Sequence, residues 1–187
     1  MEFFDVLEKR HSYRGKYDPS PIPREDLVRI LEAGLAAPSG CNMQTTSLIA
    51  VDDPVVLEKL KAIQTKPVGA TAPAWIVVLT ERLSSYHGRC FAVQDYSAAI
   101  ENMLLAIVAL GYESCWVEGY VTDADGKGKK MAEVLGVPEG YEVVCFLPVG
   151  RALAEPSAVK KKEFSERAWF NGFGAELTPV WGRSLRR

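Results

Sequence analysis

Four stretches of the chain carry side chains able to do chemistry. The first is Arg10-His11-Ser12-Tyr13-Arg14. Alternate residues of an extended segment face one side, so Arg10, Ser12 and Arg14 would share a face. Two guanidinium forks and a hydroxyl there match the oxygens of a phosphate group. A solvated basic surface near the end of a helix would show the same residues. The second is Ala37-Pro38-Ser39-Gly40-Cys41-Asn42-Met43-Gln44. Its proline and glycine impose a loop. Ser39, Asn42 and Gln44 offer donors and acceptors that suit the polar edge of a flat heteroaromatic ring. The same groups also serve to cap a turn's own backbone. The third runs from Gly111 to Gly119 and contains Trp116-Val117-Glu118. Gly119 permits a close backbone approach to a ligand, whereas Trp116 equally suits a core and Glu118 a strand end. The fourth is Lys160-Lys161-Lys162, a basic run that would close an anion site or stay solvated.

These stretches sit between regular elements. Phe3, Phe4 and Leu7 fall on one helical face and predict a short amphipathic helix over residues 2–10. Leu27, Ile30, Leu31, Gly34 and Leu35 predict a second helix, stopped near residue 36 by Pro38-Ser39-Gly40. Ser47–Val51 reads as a strand. Asp53-Pro54 starts a helix, with a capping acid and proline at the first helical position, that runs to about Ile63. Ala74–Thr80 is a continuous apolar strand, expected to be buried on both faces. Gln94–Leu110 is apolar nearly all round, as a helix central to a core or an interface would be. Asp95 is placed to cap it and Gly111 to end it. Cys115–Val121 reads as a strand, Lys129–Leu135 as a short helix and Tyr141–Val149 as a last strand. Beyond Gly150 the chain turns polar and basic but keeps Phe164, Trp169, Phe170, Phe173 and Trp181. Residues 151–187 therefore read as an extended arm that packs on something, not as a disordered tail.

The whole is the length of one domain with a substantial core, here 187 residues. A net charge of −2 gives no global field favouring nucleic acid. No run of apolar residues is long enough to span a membrane. Met1-Glu2-Phe3-Phe4-Asp5 carries acid where an export signal carries basic residues. Cys41, Cys90, Cys115 and Cys145 are widely spaced, without the close pairs of a disulfide framework or a zinc site. Reduced thiols in a cytoplasmic protein with no metal are the expectation. There is no Gly-x-Gly-x-x-Gly after a strand, and Gly126-Lys127-Gly128-Lys129 lacks the spacing of a phosphate-binding P-loop. Asp123-Ala124-Asp125-Gly126 lacks the later ligands of a calcium loop and reads as a turn. Mixed helices and strands around one apolar helix predict an α+β layer fold.

Taken in order, the stretches resemble the FMN-dependent nitroreductase family. That family opens with a helix and an Arg-Arg-Ser-x-Arg segment, here Arg10–Arg14. An Ala-Pro-Ser-x-x-Asn-x-Gln loop follows, matched without a departure at the named positions from Ala37 to Gln44. A buried helix with Asp-x-x-x-Ala and Asn-Met-Leu-Leu comes next, here Asp95–Leu110, then a Gly-x-x-x-x-Trp-x-x-Gly turn, here Gly111–Gly119. The match extends through Leu135-Gly136-Val137-Pro138 and Leu147-Pro148-Val149-Gly150. His11 stands where arginine is commoner, and Thr45 where proline is usual.

The resemblance implies a single three-layer α+β domain over residues 1–187. It would have a mainly antiparallel central sheet, flanking helices, a buried central helix and a C-terminal arm exchanged in a homodimer. It implies FMN at the dimer interface and NAD(P)H as the electron donor. Arg10, His11, Ser12 and Arg14 would contact the FMN phosphate and ribityl chain, with Lys161 or Lys162 completing the phosphate site. Pro38, Ser39, Asn42 and Gln44 would reach the flavin across the interface. Trp116, Val117, Glu118 and Gly119 would pass the ring, the Glu118 amide near N5. Small acceptors such as nitroaromatics or quinones would be reduced in ping-pong fashion, and Thr45 would sit where substrate contacts vary. Flavoproteins of this kind also dehalogenate reductively or fragment flavin, for which residues 64–72 would be a candidate lid. A non-catalytic flavin-binding protein would carry the same motifs.

Overall fold

The computed structural model describes residues 1–119, 121, 126–155 and 159–175. Two compact units are distinguished, Met1–Pro156 and Ser157–Arg187. The first is built on a three-stranded antiparallel sheet in the order β1-β2-β3, with β1 Thr46–Val51, β2 Ala74–Glu81 and β3 Tyr141–Val149. Side chains alternate across a strand, and β2 divides accordingly. Ala74, Ile76 and Val78 enter one apolar cluster with Leu27 and Ile30 of α2 (Arg24–Leu35) and Ile100 and Met103 of α4 (Ala92–Ala109). Trp75, Val77 and Leu79 enter another with Leu57 and Leu60 of α3 (Pro54–Ile63) and Met131 of α5 (Lys127–Leu135). The sheet is thus covered on both faces, which is the three-layer α+β architecture expected. Trp75 stacks on Phe146 with ring centroids 3.9 Å apart, both fully buried.

β3 is irregular in two places, and both matter for the candidate site. Val78 pairs with Cys145 but Leu79 with Val143, so Val144 is the extra residue of a bulge. On its outer edge β3 meets residues 113–117, through bridges Val117–Phe146 and Glu113–Gly150. The position between them on β3 is Pro148, which has no N–H to give the ladder. The strand expected at Cys115–Val121 is therefore two isolated bridges, displaced toward Glu113.

α4 begins three residues before Asp95, and no side chain caps it. Its buried residues include Tyr96, Ile100, Met103, Leu104 and Ile107. α2 crosses it closely at Gly34, where an added Cβ would lie 2.8 Å from Met103 and 2.9 Å from Leu48. α3 is capped as expected, with Asp53 accepting from the N–H groups of Val55 and Val56.

One expectation changes. α1 (Phe3–Lys9) buries Val6, while Phe3, Phe4 and Leu7 stay exposed. The connector over residues 64–72 is anchored at several points, with Thr65, Lys66, Pro67, Ala70 and Thr71 exposed between them. Trp75 Nε1 donates to Gly69 O at 3.1 Å, Thr71 Oγ1 accepts from Tyr17 N at 2.8 Å, and Ala72 is fully buried.

In the second unit, a 3-10 turn at Phe164–Glu166 is closed by reciprocal capping between Glu163 and Glu166. Trp169 and Phe173 pack with ring centroids 4.2 Å apart. Residues 156–158 of the arm and the arm beyond residue 175, Trp181 included, lie outside the described residues, as do most of the turn at 123–126 and position 120 of the strand expected over Cys115–Val121. Among the described residues, no helix is long and apolar enough to cross a membrane.

Candidate active site

The loop after α2 winds tightly without relying on glycine. Cys41, Asn42 and Gln44 have φ of 53°, 55° and 50°, a left-handed region that costs ordinary residues about 1–2 kcal/mol each. Internal bonds offset part of this. Asn42 N donates to Ser39 O at 3.0 Å, Met43 N to Gly40 O at 3.1 Å, and Gln44 N to Ser39 Oγ at 3.0 Å. Gly40 lies against Phe91, and an added Cβ would sit 2.6 Å from the Phe91 side chain. Both loop ends are tied to Asp95. Its Oδ1 accepts from Gly40 N and its Oδ2 from Thr45 Oγ1, each at 2.7 Å. Asp95, expected to cap its own helix, instead turns its buried carboxylate onto the loop. Thr45, expected near substrate, is 2% exposed. Pro38, Asn42 and Gln44 remain exposed and Ser39 half-buried.

The first and third stretches run side by side. Tyr13 N donates to Ser114 O at 2.8 Å, which lays residues 10–14 along residues 113–117. The expected alternation holds in part: Tyr13 enters the core, Arg14 is exposed, and Arg10 and Ser12 are half-buried. Arg10 Nε lies 3.5 Å from Glu101 Oε1 on α4. His11 turns toward protein partners. Its Nδ1 donates to Lys9 O at 2.7 Å, and its Nε2 lies 3.3 Å from Glu113 Oε2 as an ion-pair contact. Lys9 O can only accept, so Nδ1 carries a hydrogen. Burial raises the Glu113 carboxyl above its ordinary value, and the nearby His11 charge partly offsets this. Ser114 Oγ and Trp116 Nε1 are buried without a protein hydrogen-bond partner, as are His11 Nε2 and Glu113 Oε2, which have only their mutual ion-pair contact. Val117 is buried, Glu118 half-buried and Gly119 exposed.

One helix is the common reference. Asp95 holds the 39–45 loop, and the neighbouring Tyr96 donates through its hydroxyl to Glu118 Oε1 at 3.1 Å. Glu101 meets Arg10 less than two turns further on. Three of the four stretches are thereby tied to α4. Lys161 and Lys162 are exposed and belong to the second unit. Asp95, Tyr96 and Glu113 had no such role in the sequence. A carboxylate inside an otherwise apolar helix was the available signal at Asp95, since a buried charge must find donors elsewhere.

The chain is thus an α+β sheet covered on both faces, with polar loops fixed to one buried helix. Comparison gives the family. The model of the nitroreductase family matches residues 7–68 and 64–151. A protein of Archaeoglobus fulgidus, provisionally named an NADH dehydrogenase/NAD(P)H nitroreductase, is 35% identical over 80% of this chain and 84% of its own. The solved FMN-dependent nitroreductase of Clostridium difficile R20291 is 30% identical, with a TM-score of 0.75 over 91% of this chain and 99% of its own. A Bacteroides fragilis nitroreductase solved with bound FMN is 31% identical, with a TM-score of 0.69 over 86% of this chain and 95% of its own. The chain belongs to the nitroreductase family.

The Tyr96–Glu118 contact gives a pH prediction. Burial, then the Glu118 charge, pushes the Tyr96 phenol from 10.0 up to about 12. Folding favours the protonated phenol, so its contribution is complete below pH 10 and is lost as pH rises through 12. Tyr96→Phe has no such proton. The stability difference between wild type and Tyr96→Phe in urea titrations should therefore change between about pH 10 and pH 12. A difference constant across that window would remove the Tyr96 assignment.

Proposed function

We propose that this chain is an FMN-dependent oxidoreductase that draws electrons from NAD(P)H and passes them to small acceptors such as nitroaromatics or quinones. The observation that carries this reading is the convergence of three polar stretches on α4. The FMN named in the solved Clostridium difficile and Bacteroides fragilis relatives supports it. The residues present also fit such a group. Buried polar atoms normally find partners, and Ser114 Oγ and Trp116 Nε1 are left with capacity for a ligand's polar atoms.

Arg10, Ser12 and Arg14 would hold the FMN phosphate, with His11 alongside and Lys161 or Lys162 adding positive charge. Arg14 is exposed for that purpose, whereas Arg10 would exchange or share Glu101. Trp116, Val117, Glu118 and Gly119 would line the ring, the Glu118 N–H donating at N5. The chemistry FMN supplies when bound is two-electron transfer from NAD(P)H to the acceptor in ping-pong order. Positive charge and backbone dipoles from this chain would offset the negative charge gathered on the ring.

The same reading calls for a homodimer. Phe3 and Phe4 are 61% and 75% exposed, on a helix next to the candidate site. Leu7 and Leu35 are exposed as well. An apolar surface of this kind is characteristic of an interface. Pro38, Ser39, Asn42 and Gln44 would reach the flavin held by the opposite protomer, and the aromatic arm after residue 150 would wrap it.

Protein reconstituted with FMN and kept anaerobic should bleach with NADH or NADPH and recover its colour on adding a nitroaromatic or a quinone. Failure to bleach with either donor would overturn the oxidoreductase reading. Arg10→Ala and Arg14→Ala should each weaken FMN about tenfold, the scale of one hydrogen bond to a charged group, without altering the circular dichroism. Unchanged FMN affinity in both would return the segment to a solvated surface. Deleting residues 164–187 should yield monomeric or insoluble chains free of FMN, and a stable yellow dimer would contradict the arm's role.

A further inference from the structure

The Ser39–Gln44 loop presents exposed amides from a backbone shape that is costly to hold. Three of its four residues from Cys41 to Gln44 are left-handed and none of those three is glycine. Such a shape persists only where surrounding structure over-determines it. Here the determining group is a single carboxylate. Asp95 accepts from Gly40 N with one oxygen and from Thr45 Oγ1 with the other, both at 2.7 Å. The two oxygens of one planar group are a fixed distance apart. The loop ends are therefore set against each other as well as against α4. Asp95 is 4% and Thr45 2% exposed, so water competes little for either bond. Asp95 also lies in the first turn of α4, where the helix dipole favours negative charge.

We propose that Thr45 and Asp95 form a positioning pair that holds the Ser39–Gln44 loop ready for the flavin. The proposal rests on the FMN reading above. Neither side chain touches the ligand. Their effect is to present Asn42 and Gln44 in one pose, so that binding does not have to order the loop. The Thr45 hydroxyl supplies one of the two donors and can be removed with little change of shape.

The test compares wild type, Thr45→Val and Thr45→Ser by FMN titration, the absorption spectrum of the bound flavin and apoprotein melting. Thr45→Val should bind FMN about tenfold more weakly, the scale of a lost hydrogen bond to a charged group, and shift the bound flavin's spectrum. Thr45→Ser keeps the hydroxyl and should restore both, which a role limited to packing the methyl group would not do. Wild-type affinity and spectrum in Thr45→Val would overturn the proposal, as would a Thr45→Ser chain as weak as Thr45→Val. Should the valine chain fail to fold, Thr45→Ala takes its place with the same two outcomes. A wild-type chain that takes up no FMN would remove the underlying reading. Tight FMN binding by wild type and Thr45→Val alike would remove only the positioning pair.

Discussion

A carboxylate buried in an apolar helix has to be supplied with donors, and at Asp95 that requirement organises one end of the molecule. Its donors come from both ends of one loop, fifty or more residues earlier in the chain. Gly40 and Thr45, near the two ends of the wound loop, are both anchored on α4. α4 in turn is fixed by α2 across Gly34 and by the sheet face that holds Ala74, Ile76 and Val78. Leaving the Asp95 charge without those partners would cost several kcal/mol, so loop, helix and sheet are positioned together.

The neighbouring residue extends the same logic to a different part of the chain. Tyr96 reaches Glu118, while β3 holds Val117 and Glu113 through the two bridges flanking Pro148. A proline in this strand leaves the outer ladder incomplete. On the same segment the side-chain atoms Ser114 Oγ and Trp116 Nε1 are buried without a protein partner. In the proposed dimer, Asp95 would serve the flavin of the opposite protomer and Tyr96 the chain's own. One helical turn would then carry both halves of the assembly.

The regular elements were legible because they depend on local pattern. The continuous apolar run of β2 and the nearly all-round apolar surface of α4 each declare a buried element, and Asp53-Pro54 declares a helix start. The order of the polar stretches carried the family. The partners of the polar side chains were not legible, since they depend on contacts distant in sequence. Asp95 reads as a cap until Gly40 and Thr45 are seen against it. The contacts of His11 with Lys9 O and Glu113 were likewise not legible in the sequence. The strand expected at residues 115–121 failed for a reason that sits on another strand, at Pro148. The apolar face of α1 was legible as a face, but that it stays exposed was not.

The central claim is that segments tied to α4 form one flavin site. A crystal structure of the protein reconstituted with FMN addresses it most directly. The account predicts the phosphate on Arg10, Ser12 and Arg14, the ring beside residues 116–119, and the 39–44 loop of the opposite protomer closing over it with Thr45 still bonded to Asp95. FMN bound elsewhere, or held without either the 10–14 or the 116–119 segment, would contradict it.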